Sequence, residues 1–435
     1  MLFIDIGIAA RNLLMHTRRN LFLAGAVATV TAILVLLGGF TDGMRSAMLE
    51  SATALMTGHV NVGGFYKTTS GVGVPLVSDY SKVLAETRRL VPELDYVTAR
   101  ERGYAKLVSE RSSMNLVLAG IDVTKEPGLR RNLKVEQGKL EDLAAPGTIL
   151  LFEDQAKRLE VGVGDVITLS APTSRGVNNT EDLRVVAVAR NLGILSSFTA
   201  FLPSQAVRAL YRQSPSATGA LHLHLKDPSQ AGRVAARLRD GLGHAGWRVM
   251  DASAEVWWMK LMKRVNAEDW TGQKLDMSTW EDELSFLNWI LSAIGAISGA
   301  LLFVLLVIVV IGILNSLAIA IRERTREIGT LRAIGMQRRK VLWLFLLEAM
   351  MLGAVGAGTG SLVGSAVAAG VNGMHVAVPE SMQMFLMQQH LTLAIDGGGV
   401  LVRALFIVLV TTLAALAPAF SAARLKPITA MHHIG

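Results

Sequence analysis

Hydrophobic and polar positions separate along this chain into four long, nearly uncharged runs and one mixed region. Residues 20–41 hold no Asp, Glu, Lys or Arg over 22 positions, and residues 284–321 hold none over 38. Residues 341–379 carry one charge, Glu348, near their start, and residues 397–423 carry one, Arg403, near an end. About 20 apolar helical residues, at roughly 1.5 Å each, cross a hydrocarbon core of about 30 Å. The runs therefore predict four spanning helices, at 21–41, 284–320, 341–370 and 398–420. The second run would make a helix of about 57 Å, too long for the hydrocarbon alone. It should project from the membrane as a stalk or break there.

The region between the first and second runs, residues 42–283, has a different texture. Val60-Asn61-Val62, the 104–120 stretch, 161–170 (VGVGDVITLS) and 221–225 (LHLHL) have the alternation or turn-flanked apolar character of strands. Residues 81–91 and 229–240 have helical spacing, the latter leading Val234, Leu238 and Leu242 down one face. Residues 171–182 (APTSRGVNNTED) are rich in turn formers and predict a polar loop. The fold class is a multi-pass α-helical membrane protein, with a large α+β extracytoplasmic domain between helices 1 and 2.

Charge sets the orientation. Arg11, Arg18 and Arg19 oppose Asp5 before the first run, seven Lys or Arg lie within 321–340, and Arg424 and Lys426 follow the last run. The connection 371–397 has neither Lys nor Arg. Cytoplasmic flanks are the basic ones, so residues 1–20 (an amphipathic N-terminal helix), 321–340 and the tail 421–435 are expected inside, and 42–283 and 371–397 outside. The first apolar run exceeds the usual signal h-region, and no small-x-small cleavage site follows, so it reads as an uncleaved anchor.

Composition agrees: 51% of the 435 residues are hydrophobic and 18% charged, with mean hydropathy +0.41, against about a quarter charged in soluble domains. The net charge of +8 divides into +2, +5 and +2 on the three basic segments and −1 elsewhere. That basic face suits anionic headgroups and a protein partner rather than nucleic acid. With no cysteine, disulfides, thiolate zinc sites and thiol nucleophiles are excluded.

Chemistry-bearing constellations are few. His222 and His224 share one face of a strand, but no third metal ligand is placed, and solvent-facing histidines are the commoner case. His432 and His433 are read the same way. No nucleophile, base and orienter assemble, so no enzyme activity is expected. Five of seven tryptophans lie between 257 and 289, interleaved with Met259, Met262 and Met277. This predicts a packed stalk with an interfacial aromatic belt. The alternative is a soft apolar wall facing greasy cargo, with Trp257, Trp258, Met259 and Met262 as its surface. Gly295 and Gly299, and Gly356, Gly360 and Gly364, have the spacing that lets helices approach closely. Glu348 and Arg403 lie near enough to an interface to be solvated, and no mid-depth carboxylate suggests a proton relay.

The segment 321–340 (IRERTREIGTLRAIGMQRRK) is the most specific stretch. Ile328, Leu331 and Ile334 recur at i, i+3 and i+6, predicting a short amphipathic helix on the membrane surface or in a partner's groove. The run RTREIGTLRAIGMQRRKVLWLFLLEAMMLG resembles the coupling segment of FtsX-like, or MacB-type, ABC transporter permeases. The tail AALAPAFSAARLKPITAM is similar to their C-terminal signature, with Pro418, Ala422, Arg424 and Pro427 in matching places, and Ala10-Arg11-Asn12-Leu13 with Arg18-Arg19 matches the N-terminal helix. Residues 149–170 resemble the periplasmic domain of the lipoprotein-releasing (LolC/LolE-like) members, which the layout also resembles.

The resemblance implies a permease subunit of a bacterial inner membrane. It would pair with a second permease subunit, identical or paralogous, and with a cytoplasmic ABC ATPase dimer that holds ATP and Mg. Arg322, Arg324, Arg326, Glu327, Ile328, Gly329, Leu331, Arg332, Ile334 and Gly335 would couple to that ATPase. No cofactor would be bound by this chain, which has no G-x-x-x-x-G-K-[ST] loop: Gly138-Lys139 is followed by Leu140 and lacks the first glycine. The implied work is lipoprotein release or export of hydrophobic cargo, with a periplasmic lipoprotein, chaperone or adaptor as a further partner. The alternatives are MacB-like efflux of peptides, toxins or drugs, and FtsX-like signalling to a cell-wall hydrolase. The chain departs from the lipoprotein-releasing pattern at 171–182, which is short and lacks a Pro-rich hook, and at 251–283, which is longer than usual.

Overall fold

The computed structural model describes residues 2–15, 17–68, 73–173, 177–379, 382–383 and 390–424. Four of its helices are long and apolar enough to cross a membrane, with candidate spans Thr17–Thr53, Ser292–Glu323, Arg338–Met374 and Gly397–Ala423. The chain divides into two compact units. One comprises residues 1–45, 292–377 and 390–435; the other comprises 46–291 and 378–389.

In the first unit, the spans pack through a cluster of Val27, Val30, Leu34, Val309, Ile313, Ala357 and Ile407. The glycine stripe of the third span is what brings it against the first. A methyl on Gly356 would sit 2.7 Å from Val27 Cβ, and one on Gly364 3.0 Å from Ala32. Gly295 and Gly299 of the second span differ, since a methyl on either would meet nothing within 4 Å. That span is bare along much of its length, exposing Ile297, Phe303, Val304, Ile308 and Ile311.

Both of these charges have a charged partner; Glu348 is buried, which corrects the sequence expectation, whereas Arg403 stays partly exposed beside the exposed Asp42. Arg403 reaches Asp42 at 2.7 Å, and its guanidinium lies against Gly38, where any side chain would displace it. Glu348 is buried and faces Arg324 at 3.4 Å. The partners, Asp42 and Arg324, are remote in sequence from Arg403 and Glu348, so nothing local announced them.

The second unit carries eleven strands: β1 (Val60–Lys67), β2 (Val74–Pro75), β3 (Leu94–Val108), β4 (Ser113–Ile121), β5 (Val135–Gly138), β6 (Thr148–Phe152), β7 (Val166–Pro172), β8 (Asn178–Ala189), β9 (Thr199–Pro203), β10 (Ala220–Leu225) and β11 (Gly272–Thr279). Their order is β11-β1-β10-β3-β4-β9-β6-β8-β5, with β2 on β1 and β7 on both β3 and β8. The long β3 serves two halves. Residues 94–100 pair with β10, and residues 101–108 pair with β4. In the first half, helices Tyr80–Leu90 and Ala231–His244 lie together against the sheet. In the second half, the pairings β3–β4–β9–β6–β8–β7–β3 close into a ring. Its interior is filled at period two by Leu116 and Leu118, Ile149 and Leu151, Ile167 and Leu169, Leu183 and Val185, and Ala200 and Leu202.

Two sequence expectations give way here. Residues 171–182 are mostly a hairpin rather than a loop, because the β7–β8 ladder runs from Val166↔Arg184 to Pro172↔Asn178. Along β8 the exposed Asn178, Thr180 and Asp182 alternate with the partly buried Asn179 and Glu181, and Asp182 accepts from the Thr168 hydroxyl of β7 at 2.6 Å. Residues 251–283 are not a stalk. After helix Trp257–Lys260 and the turn Leu261–Val265, β11 pairs with the whole of β1, Val60↔Thr279 through Lys67↔Gly272. The helix Trp280–Glu283 follows, and the long apolar helix begins at Asn288.

Candidate functional site

The basic segment between the second and third spans folds as the helix Thr325–Ala333. It ends at Ile334 because Gly335 takes φ +105°, a conformation open to glycine and strained for other residues. The helix has an inner and an outer side. On the inner side Ile328 is buried with Val341, Phe345, Ala419, Ala422 and Ala423, and Gly329 is buried beside it. Arg324 is also buried. Its Nη1 faces both Glu348 oxygens at 3.4 and 3.5 Å, and its Nη2 donates to the Asn12 carbonyl of the N-terminal helix at 3.4 Å. Arg332 Nη1 donates to the Ala423 carbonyl at 2.9 Å, and Arg19 pairs with Glu323 at 2.9 Å. Five separate stretches of sequence are thus tied together around one short helix.

The outer side exposes Arg322, Arg326, Glu327, Ile334 and Gly335. Ile334 is 80% exposed. It does not share the buried face of Ile328, which corrects the i, i+3, i+6 reading: the helix stops first, and the chain turns away. The side chain of Leu331 and the whole of Pro427 fall outside the described residues.

The tail motif supports the same assembly. Pro418 has no N–H for the Ala414 carbonyl one turn earlier, and its position accounts for the interruption at Ala415 between helices Gly397–Ala414 and Leu416–Ala423. Ala422 is buried in the cluster, where its small size lets Ile328 approach. Arg424 holds its guanidinium 4.2 Å above the Phe420 ring centre.

In the second unit, the aromatic group proposed as a cargo wall is largely interior. Trp257 packs with Phe65, Met250, Val256, Val265 and Trp270, and Trp258 and Met259 are partly buried against the same cluster. Met262 alone of the four projects, 63% exposed. The tryptophans pack here because buried cations need π faces and carbonyls. Lys67 lies 5.3 Å from the Trp270 ring centre and donates to the Val265 and Glu268 carbonyls, and Arg102 lies 5.5 Å from the Trp257 ring centre. A cleft of about 620 Å³ opens elsewhere in this unit, lined in part by Tyr80, Arg88, Thr98, Lys125, Glu126 and Arg208.

His222 and His224 are buried, not solvent-facing, with Arg100 and Arg102 beside His222 and the rings of His59 and Tyr96 against His224. His222 has no hydrogen-bond partner on either ring nitrogen, and His224 stacks on Tyr96 at 4.2 Å. Among the described residues, no three His, Asp or Glu side chains gather to hold a metal ion. Burial first, and the nearby Arg100 second, push both imidazoles down, His224 to about 3. Burial likewise pushes the Glu101 carboxyl up, while Arg208 beside it pulls the other way.

Two family descriptions match this chain: "MacB-like periplasmic core domain" over residues 21–240 and "FtsX-like permease C-terminal" over residues 299–427. The first covers half of the sequence, and the chain belongs to the MacB-like, FtsX-type family of ABC transporter permeases. Among its relatives, the "Macrolide export ATP-binding/permease protein MacB" of Nitrobacter winogradskyi is 37% identical over 154 residues, 35% of this chain and 20% of that protein. The protein of the same name from Wolinella succinogenes is 25% identical over 393 residues, 88% of this chain and 55% of that one. The chain thus spans about half the length of this second relative, or less for the first. Among solved structures, the periplasmic region of MacB from Actinobacillus actinomycetemcomitans aligns at 16% identity over 46% of this chain and 88% of that one, with a TM-score of 0.29.

Two outcomes are expected. Arg324→Ala leaves Glu348 buried without its partner and should cost about 3 kcal/mol of stability, read as a lowered thermal unfolding midpoint in detergent, while Arg324→Met with Glu348→Leu recovers most of it. For the histidines, folded values lie below the unfolded 6.5, so the unfolded chain binds more protons between the two. Stability is therefore present above about pH 6.5 and is lost as pH falls below it. His224 should account for about 2 kcal/mol of loss between pH 7 and pH 5, and His224→Phe should flatten the profile measured by urea unfolding.

Proposed function

We propose that this chain is the membrane-spanning part of an ABC transporter in which closure of a separate cytoplasmic ATPase dimer, with ATP and Mg bound there, is converted into movement of the periplasmic domain. Cargo does not pass through the four helices. The observation that carries this reading is the short helix Thr325–Ala333, fixed from behind by Arg324–Glu348 and Arg332–Ala423 and exposing Arg326, Glu327 and Ile334. An apolar residue at a turn, flanked by charges and backed by a rigid cluster, suits insertion into a groove on a partner. Membership of the permease family supports an ATPase as that partner and a second permease subunit beside it. The bare second span, with open space over Gly295 and Gly299, offers that subunit a close-packing surface.

Both ends of the chain and the basic segment face the cytoplasm in this reading, in a bacterial inner membrane. For cargo, the name that both relatives above carry, macrolide export, favours small amphipathic compounds handled with a periplasmic adaptor over lipoprotein release. The interior position of Trp257, with Trp258 and Met259 partly buried, points the same way, since it leaves only Met262 of that group to face a lipid chain.

Glu327→Ala combined with Ile334→Asp should abolish stimulation of the copurifying ATPase while leaving the unfolding temperature unchanged. Stimulation at the parental level would remove this helix from the coupling role. Protease added outside intact spheroplasts should cut within 42–283 and spare 321–340. The reverse pattern would invert the topology.

A further inference from the structure

Three consecutive residues of β3, Arg100, Glu101 and Arg102, are 2%, 1% and 8% exposed. Buried charges in succession on one strand are costly unless each is paired, and each of these is paired with a different element. Arg100 makes a two-pronged bond to Glu126, Nε to Oε1 at 2.7 Å and Nη2 to Oε2 at 2.8 Å. Its remaining Nη1 donates to the Leu55 carbonyl at 2.9 Å, the last residue of the helix Thr17–Leu55. Arg102 points to the same face, two residues on. It reaches Glu283 at 3.4 Å, and Glu283 is also held by the Ser278 hydroxyl at 2.6 Å. Glu283 closes the helix Trp280–Glu283 that leads into the second span. Glu101 takes the opposite face, where Arg208 of helix Ser204–Tyr211 donates to it at 2.6 and 3.0 Å and the Gly219 amide at 3.1 Å.

The place of the triplet is as specific as its partners. Pairing of β3 with β10 ends at Arg100, and pairing with β4 begins at Glu101. The strand changes halves of the domain between these two residues. A pull on Leu55 or Glu283 therefore arrives at the one point of β3 shared by both halves. Glu101 passes it across the strand to a helix packed on the ring.

We infer that Arg100 and Arg102 are the positioning residues through which displacement of the two helices entering this domain is delivered to β3 and redistributed between the halves, with Glu101–Arg208 as the outgoing link. The inference rests on the ATP-driven movement proposed above. Its test uses the absence of cysteine in the chain. Two pairs of spin labels are placed on the full chain in lipid nanodiscs with its copurifying ATPase. One is upstream, at Ile297→Cys and Met374→Cys in the membrane unit. The other is downstream, at Lys82→Cys and Lys157→Cys on the two halves of the domain.

Both distance distributions should shift on adding ATP and Mg. With Arg100→Met plus Glu126→Leu, and separately with Arg102→Gln, the upstream shift should persist and the downstream shift should be lost. A parental protein with no upstream shift, or with no ATPase bound, would sink the proposed movement itself. An upstream shift with the downstream shift intact in both variants would overturn only the present inference. Loss of both shifts in a folded variant would also overturn it, since a link alone does not silence the helices before it. If one variant does not fold, the other decides. Failure of both to fold would assign these charges to stability alone.

Discussion

A charge taken out of water has to find an opposite charge or a carbonyl dipole, and this chain meets that demand where one element hands over to another. Arg324 and Glu348 join the short basic helix to the third span, with the N-terminal helix held by the same guanidinium. Arg403 and Asp42 join the fourth span to the first. Arg100, Glu101 and Arg102 join the two halves of the inserted domain to helix ends on either side. Where both partners are buried, as in Arg324–Glu348, Arg100–Glu126 and Arg102–Glu283, removing one strands the other in a medium that does not solvate it. Such pairs fix relative position more sharply than apolar contact does, because the loss on separation is steep.

The apolar packing between these pins is of two kinds. In the domain, the ring interior repeats every second residue, so each strand contributes its share and one slip of register would expose it. In the membrane unit there is little hydrophobic drive between helices, and close approach has to come from small residues. Gly356, Gly360 and Gly364 provide it against the first span. The second span lacks any such contact at Gly295 and Gly299. A helix left bare within its own unit suits contact with lipid or with another subunit.

The basic segment 321–340 illustrates how far sequence can carry a local structure. The clustering of seven basic residues in 321–340, and the resemblance of that run to a permease coupling segment, located the helix correctly. The placing of Ile334 on one face with Ile328 failed because helical periodicity was extended one residue past the helix end at Ala333. The aromatic cluster at 257–289 shows a different limit. Tryptophans before an apolar run look alike whether they border a membrane or fill a core, and only the pairing of β11 along β1 put Trp257 and Trp270 inside.

What the sequence determined by itself is what short-range physics governs: four nearly uncharged runs long enough to span, helices expected at 81–91 and 229–240 and found at Tyr80–Leu90 and Ala231–His244, the alternating LHLHL strand, and the clustering of basic residues. What the tertiary structure alone decided is the fate of polar groups. Histidines on a strand are wet or dry according to whether their face of the sheet is covered, and what covers it is not encoded locally. Arg100 and Leu55, Arg102 and Glu283, and Arg324 and Glu348 meet across long stretches of chain. Charge in a sequence states only that a partner is needed. Folding, which must satisfy every buried charge at once, chooses which partner it is.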